Sequence, residues 1–232
     1  VLNGVSLNVQ RGEILAVIGG SGVGKSVLLK HITGLIRPDR GTIKVDGQEV
    51  TNLRGKLLVS YRERIGFLFQ GGALFDSMTV FENAAVPLGE KTKLPEKKIR
   101  ESVYEILGHV GMQDDGDKYP AELSGGMQKR AALARALITN PEIMLFDEPT
   151  TGLDPIIVNS VFTYIKLTHQ QIGFTGIIVT HKIPKIFPIV QKVALLNKGV
   201  IVAAGTPDEI QQSTDPIVEY FLSGGETGNR AG

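Results

Sequence analysis

The sequence predicts an α/β fold with a mainly parallel sheet, and three observations carry that prediction. Short runs rich in β-branched residues recur along the chain. The runs are continuous rather than alternating, as in strands covered on both faces. Helix-forming segments lie between several of them, the arrangement of a parallel sheet with crossover helices.

The strand-like runs are Ile14–Ile18, Ile65–Phe69, Ile143–Phe146, Ile177–Val179, Val193–Leu196 and Val200–Ala203. Ser26–Gly34 follows a glycine-rich loop and reads as helix. Gly126–Thr139 reads as helix from its Ala, Leu, Gln, Lys and Arg content, and Asn140-Pro141 stops it. Pro155–Gln171 is a third helix, with proline at its first turn. From Gly71 to about Leu123 no strand pattern is evident, but Val80–Pro87 and Pro95–Val110 are helix-like, which predicts a mainly helical insert. Thr42–Gly47 resembles a strand entering a turn, and the chain opens at Val1 in a strand-like pattern rather than at Met, so the natural N-terminus is expected to extend further. Ser213–Gly232 cannot build a core and is expected to fray, with Ile217, Val218, Tyr220, Phe221 and Leu222 anchoring one short helix. There is no internal repeat.

At 232 residues the chain is long enough for one domain with a sizeable interior. Lys and Arg number 25 against 24 Asp and Glu, so no global field attracts nucleic acid or an anionic membrane. The absence of cysteine excludes disulfides, thiolate zinc sites and iron–sulfur clusters within the sequence. No apolar run approaches the ~20 residues of a membrane helix, and no signal peptide is recognised. Any membrane role is expected to come through a partner.

Gly19, Gly20, Ser21, Gly22, Val23, Gly24, Lys25 and Ser26 match the phosphate-loop pattern G-x-x-x-x-G-K-[ST], placed directly between a strand and a helix as the pattern requires. Glycines let the backbone curl so that successive N–H groups form a nest for phosphate oxygens. The helix start, running on through Val27, adds partial positive charge. Lys25 brings a point charge to the phosphates, and the Ser26 hydroxyl is a Mg²⁺ ligand, so the expected ligand is ATP with Mg²⁺. Ile143–Phe146 runs into Asp147-Glu148, which places two carboxylates at the carboxyl edge of the sheet, where the phosphate loop also sits. Asp147 is expected in the Mg²⁺ shell, and Glu148 is expected to orient and deprotonate the attacking water. These two elements together define a P-loop NTPase with a RecA-like core. The turn Leu123-Ser124-Gly125-Gly126 opens the long Ala/Leu/Arg helix, and its exposed N–H groups and hydroxyl make a second anion site.

On these residues the chain resembles the ATP-binding cassette (ABC) ATPases, whose signature reads Leu-Ser-Gly-Gly-Gln shortly before the Asp-Glu strand. Met127 stands where the family usually has Gln, while Ser124, Gly125 and Gly126 are retained. The resemblance extends over essentially the whole chain. It implies that Gln70 is the Q-loop glutamine, reaching Mg²⁺ or water when the site closes, and that His181 is the switch histidine of the γ-phosphate. Thr151-Gly152-Leu153-Asp154 stands at the D-loop, where the family usually reads Ser-Ala-Leu-Asp; Asp154 matches and Thr151 and Gly152 depart. Lys182 follows the switch histidine where many members have Asp. The adenine-stacking aromatic of the family lies upstream of the segment resembling Val1–Val9. The implied catalytic set is Glu148, His181, Gln70 and Lys25, and the implied metal donors are Ser26, Gln70 and Asp147. The implied architecture adds an N-terminal antiparallel β part and a helical subdomain. It divides the chain into a nucleotide-binding core (1–71 and 130–212), a helical subdomain (72–129) and a C-terminal extension (213–232). In such ATPases the Ser-Gly-Gly turn of one copy completes the phosphate site of another, so the resemblance implies a head-to-tail homodimer with two sandwiched ATP molecules. Nucleotide binding closes that dimer and hydrolysis reopens it.

Gly71-Gly72-Ala73-Leu74-Phe75, Leu123–Met127, Asp215–Val218 and Phe221–Gly224 together resemble the ATPases of MCE-type, Mla-like lipid transporters of bacterial envelopes. That resemblance implies an integral permease, an MCE-domain lipid-binding protein in the same complex, and a place on the cytoplasmic face of the inner membrane. Among Leu74, Phe75, Met78, Val80 and Phe81 most are expected in the core of the insert and one or two in the groove that receives the permease. Another ABC importer or exporter is the nearest alternative. Ribosome-associated relatives carry two cassettes and DNA-directed ones a long coiled coil, and this sequence shows one cassette and no heptad run. A module that holds ATP without turnover commonly lacks the carboxylate that Glu148 supplies. The basic stretch Lys91–Arg100 contains Pro95 and interspersed Glu, which fits a solvated helix face better than a nucleic-acid site.

Overall fold

The computed structural model describes residues 1–91 and 94–224. Its strands are β1 (Ile14–Ile18), β2 (Lys44–Val45), β3 (Gln48–Glu49), β4 (Ile65–Leu68), β5 (Ile143–Asp147), β6 (Thr175–Thr180), β7 (Lys192–Asn197) and β8 (Val200–Gly205). Its helices are α1 (Lys25–Ile32), α2 (Gly55–Glu63), α3 (Val80–Lys91), α4 (Glu96–His109), α5 (Gly125–Leu137), α6 (Pro155–Ile172), α7 (Pro207–Gln211) and α8 (Pro216–Leu222). The chain divides into two compact units: Val1–Glu63 with the residues from Gly176 onward, and Arg64–Thr175.

In the first unit β1 lies between β6 and β7, parallel to both, and every one of its residues is buried. That is the environment its unbroken apolar run demands. β8 departs from the expected pattern. It returns antiparallel to β7 and is only half-buried, because a tight connection at Lys198-Gly199 leaves no length for the crossover a parallel partner needs. The antiparallel β part is a short hairpin in which Lys44 faces Glu49 and Val45 faces Gln48. The strand-like opening Val1–Val9 forms no strand: Gly4 takes φ 82°, which breaks the extended run, and the Asn3 N–H donates singly to the Gly199 carbonyl. α2 was not expected from sequence. Tyr61 is its buried residue, and the helix is tied down by polar contacts instead: the Tyr61 hydroxyl donates to the Ile32 carbonyl, and Arg62 donates to the carbonyls of Thr33 and Gly34. α7 opens with a capping box between Thr206 and Glu209. α8 is capped by Asp215, and Val218 alone of its expected anchors is buried; Ile217 and Tyr220 are exposed.

In the second unit β4 and β5 pair in parallel, with Leu68 opposite Phe146. α5 packs against β4, α3, α4 and α6, and its buried Ala131, Ala132 and Ala134 permit that close approach. α3 continues through Pro87, where the sequence reading ends it. Proline there removes one helical hydrogen bond, but Val80, Ala84 and Leu88 form a buried stripe across it that keeps the helix in place. Glu96, Lys97, Lys98 and Arg100 are exposed, as a solvated face requires, whereas Thr92 and Lys93 of the basic stretch lie outside the described residues. So do residues 225–232 of the tail expected to fray. No described helix is long and apolar enough to cross a membrane.

Candidate functional site

In the first unit the parallel register sets Ile18 of β1 opposite Thr180 of β6. The next residues on each strand are Gly19 and His181, so the phosphate loop and the exposed His181 leave the sheet side by side. Gly24 is the N-cap of α1 at φ 109°, and a Cβ there would run into Val1 and Leu2, so both conformation and space require glycine. Lys25 is buried, and its ammonium donates to the carbonyls of Gly19 and Gly20, each at 2.9 Å. The cation is thereby held over its own loop. Ser26 and Val27 follow in the first turn of α1, the helix end that carries partial positive charge.

In the second unit the pairing of Leu68 with Phe146 does the same for the other expected residues. β4 leads into Phe69 and the exposed Gln70, while β5 ends in Asp147 and continues into Glu148. Glu148 is nearly buried and takes φ 47°. Its carboxylate accepts a long hydrogen bond from the Thr151 hydroxyl at 3.4 Å, and its carbonyl accepts from the Thr151 N–H. Ser124 caps α5, its hydroxyl oxygen accepting from the Met127 N–H at 3.3 Å, and both Ser124 and Gly125 are exposed. A Cβ on Gly126 would meet Ile157 of α6, so the signature glycine lets the start of α6 approach α5. Asp154 is the exposed N-cap of α6 and makes no side-chain capping bond. The second unit therefore gathers Gln70, Asp147 and Glu148 at one strand edge, and brings Leu153 of the D-loop against Gly125.

The matching family profile is that of the ABC transporter, over residues 2–151. The chain belongs to the ABC transporter family. It is 40% identical over 228 residues to the intermembrane phospholipid transport system ATP-binding protein MlaF of Haemophilus influenzae, covering 98% of this chain and 86% of that protein. MlaF of Escherichia coli K12 is also 40% identical, over 97% of this chain and 83% of its own length. The probable ribonucleotide transport ATP-binding protein mkl of Mycobacterium tuberculosis H37Rv is 42% identical over 97% of this chain, which spans 62% of that protein. Among solved structures, cbiO1 of Clostridium perfringens, part of the ABC transporter complex cbiONQ, superposes with a TM-score of 0.86 at 33% identity, covering 95% of this chain and 88% of that one. The ATP-binding cassette MJ0796, in a dimeric post-hydrolysis state bound to ADP and Pi, gives 0.79 at 31% identity, over 89% and 90%. The chain is an ATPase of ABC type.

Three further groups, marked by no sequence motif, shape the loops of this ABC ATPase. Lys129 on α5 is buried and donates to the Gln70 carbonyl, and burial pushes its ammonium below the usual lysine value. Arg135 donates to the carbonyls of Gly72 and Ala73 and lies 5.8 Å from the Phe75 ring. Asn83, fully buried, accepts from the Phe75 N–H and donates to the carbonyls of Phe75, Met78 and Thr79. For Lys129 a signal existed: it lies three residues after Gly126 and four before Leu133, on the buried helical face. Asp147 in the second unit and Ser26 in the first each offer hard oxygen, the donor chemistry that Mg²⁺ prefers. Among the described residues there is no cluster of three or more His, Cys, Asp or Glu, so the donors fit an ion carried with a nucleotide and not a self-sufficient protein cage.

Proposed function

We propose that this ABC ATPase hydrolyses Mg·ATP to drive phospholipid transport between bacterial membranes, bound peripherally to an integral permease. The observation that carries the transport reading is 40% identity to MlaF across 98% of the chain, with 86% of that protein covered. The mkl relatives carry the name of a ribonucleotide transporter, but the chain spans 62% of their representative in M. tuberculosis, so the phospholipid reading has the fuller correspondence.

In this proposal Gly19 through Val27 cradle the phosphates, and Lys25 moves from the carbonyls of its own loop to the phosphate oxygens. Ser26, Asp147 and Gln70 are the donors for Mg²⁺, which when bound neutralises phosphate charge. Glu148 takes the proton of the attacking water, and His181 contacts the γ-phosphate. Ser124, Gly125, Gly126 and Asp154 serve the nucleotide held by a second copy in a head-to-tail homodimer. The helical segment 72–129 is the subdomain that faces the permease, with Phe75, 48% exposed, as its anchor. An MCE-domain lipid-binding protein belongs to the same complex.

The test is purification of the tagged full-length protein from native membranes in mild detergent. A permease with an MCE-domain partner and bound phospholipid is the expected result, and Phe75→Asp is expected to lose the permease. Recovery with a permease that carries nucleotide and no lipid partner would replace the phospholipid reading with the ribonucleotide one.

A further inference from the structure

α5 places two cations against one loop. Lys129, 8% exposed, donates to the carbonyl of Gln70, and Arg135 donates to the carbonyls of Gly72 and Ala73 at 2.8 and 2.6 Å. Asn83 fastens the next part of the loop by pairing with both backbone groups of Phe75. The backbone from Gln70 to Phe75 is thus gripped at successive points, while the Gln70 side chain projects into solvent.

The Lys129 contact is costly. A buried ammonium is expensive unless its charge is compensated, and among the described residues no carboxylate forms an ion pair with it. An apolar side chain of similar length would fill the position without that penalty, and Arg135 already ties α5 to the same loop. Packing alone does not account for the charge. Its position does: Lys129 stands five residues after Ser124, about 7.5 Å along the helix axis, less than two turns from the signature turn.

We propose that Lys129 is a positioning residue, coupling the Ser124 turn to Gln70 by holding the Gln70 backbone to the signature helix. The inference rests on the role proposed above for Gln70. Because α5 is one rigid element, displacement of its capped end is carried by Lys129 to the carbonyl of the residue whose side chain meets the metal or water.

The experiment compares Lys129→Met, Lys129→Arg and Gln70→Ala with the double variant Lys129→Met/Gln70→Ala. Amide hydrogen exchange is read in nucleotide-free protein, and kcat and KM for Mg·ATP are read separately. The Gly72 and Phe75 amides, bonded to Phe69 and Asn83, are the reporters. In Lys129→Met they are expected to exchange faster by about tenfold or more, the opening expected when a charge-assisted hydrogen bond is lost. The kcat is expected to fall about tenfold with KM little changed, Lys129→Arg to restore most of it, and the loss to vanish in the Gln70→Ala background. Unchanged exchange, or losses that add in the double variant while Gln70→Ala alone is impaired, would overturn the Lys129 proposal by itself. Full turnover in Gln70→Ala would overturn the role of Gln70 and the action of Lys129 through it. Should Lys129→Met not fold, Lys129→Gln, with a weaker donor of similar reach, carries the same comparisons.

Discussion

Glu148 occupies a left-handed backbone conformation, φ 47°, directly before Pro149. A non-glycine residue held there costs about 1–3 kcal/mol, and a residue preceding proline ordinarily prefers an extended conformation. The turn that maintains it closes through the Thr151 N–H and hydroxyl. Strain of this kind survives where the surroundings determine it, and here it falls on a nearly buried carboxylate-bearing residue just past the end of β5. Changing Glu148 to Gln keeps the shape and removes the proposed base. Phosphate release is expected to fall by about 10²–10⁴, the range for a lost general base, while equilibrium binding of labelled Mg·ATP persists. Undiminished phosphate release would remove Glu148 from the mechanism. The position of this residue just past the end of β5 was legible from an apolar run ending in two acids. Its twist was not, because nothing in the local sequence announces a positive φ at a glutamate.

Elements were legible where burial wrote a strong pattern. β1 was read to the residue, since all of Ile14–Ile18 is apolar and buried. α2 was not, since one buried tyrosine and a few side-chain-to-carbonyl bonds leave no periodicity to detect. The antiparallel turn of β8 escaped for a related reason: composition records burial, not strand direction. The loop after β4 is likewise shaped by buried polar groups, and Asn83 measures how much. Asn83→Ala removes four hydrogen bonds at a fully buried position. Leaving buried partners unsatisfied costs about 1–3 kcal/mol, so the urea midpoint is expected to fall with the m-value unchanged. A midpoint equal to wild type would show that the loop repacks around the loss. Gly66 of β4 tests the packing beneath it. A Cβ there would collide with Met144, the Ala136 carbonyl and Pro141. Gly66→Ala is expected to destabilise by about 1–3 kcal/mol through overpacking, read as a lower thermal midpoint; a midpoint at the wild-type value would show that β4 shifts freely.

At the scale of the molecule, the sequence motifs fall into two sets. The phosphate loop and His181 belong to one compact unit, and Gln70, Asp147, Glu148 and the Ser124 turn belong to the other. The Ser124 turn has the chemistry of an anion site, a capped helix start with exposed serine and glycine, while its own chain already supplies a phosphate loop elsewhere. The resemblance to ABC ATPases, in which such a turn completes the phosphate site of another copy, is the basis for proposing a two-copy assembly. The related cassette MJ0796 forms a dimer with ADP and Pi bound. In the Glu148→Gln background, where turnover is slowed, Mg·ATP is expected to shift the protein from monomer to dimer in sedimentation velocity. Adding Ser124→Arg places a bulky side chain on an exposed turn and leaves Lys25 and its partners Gly19 and Gly20 unsubstituted. That double variant is expected to stay monomeric at saturating Mg·ATP while binding nucleotide within a few-fold of the single variant. A dimer formed as readily as before would mean that the Ser124 turn meets no partner nucleotide, and the second anion site would need another occupant.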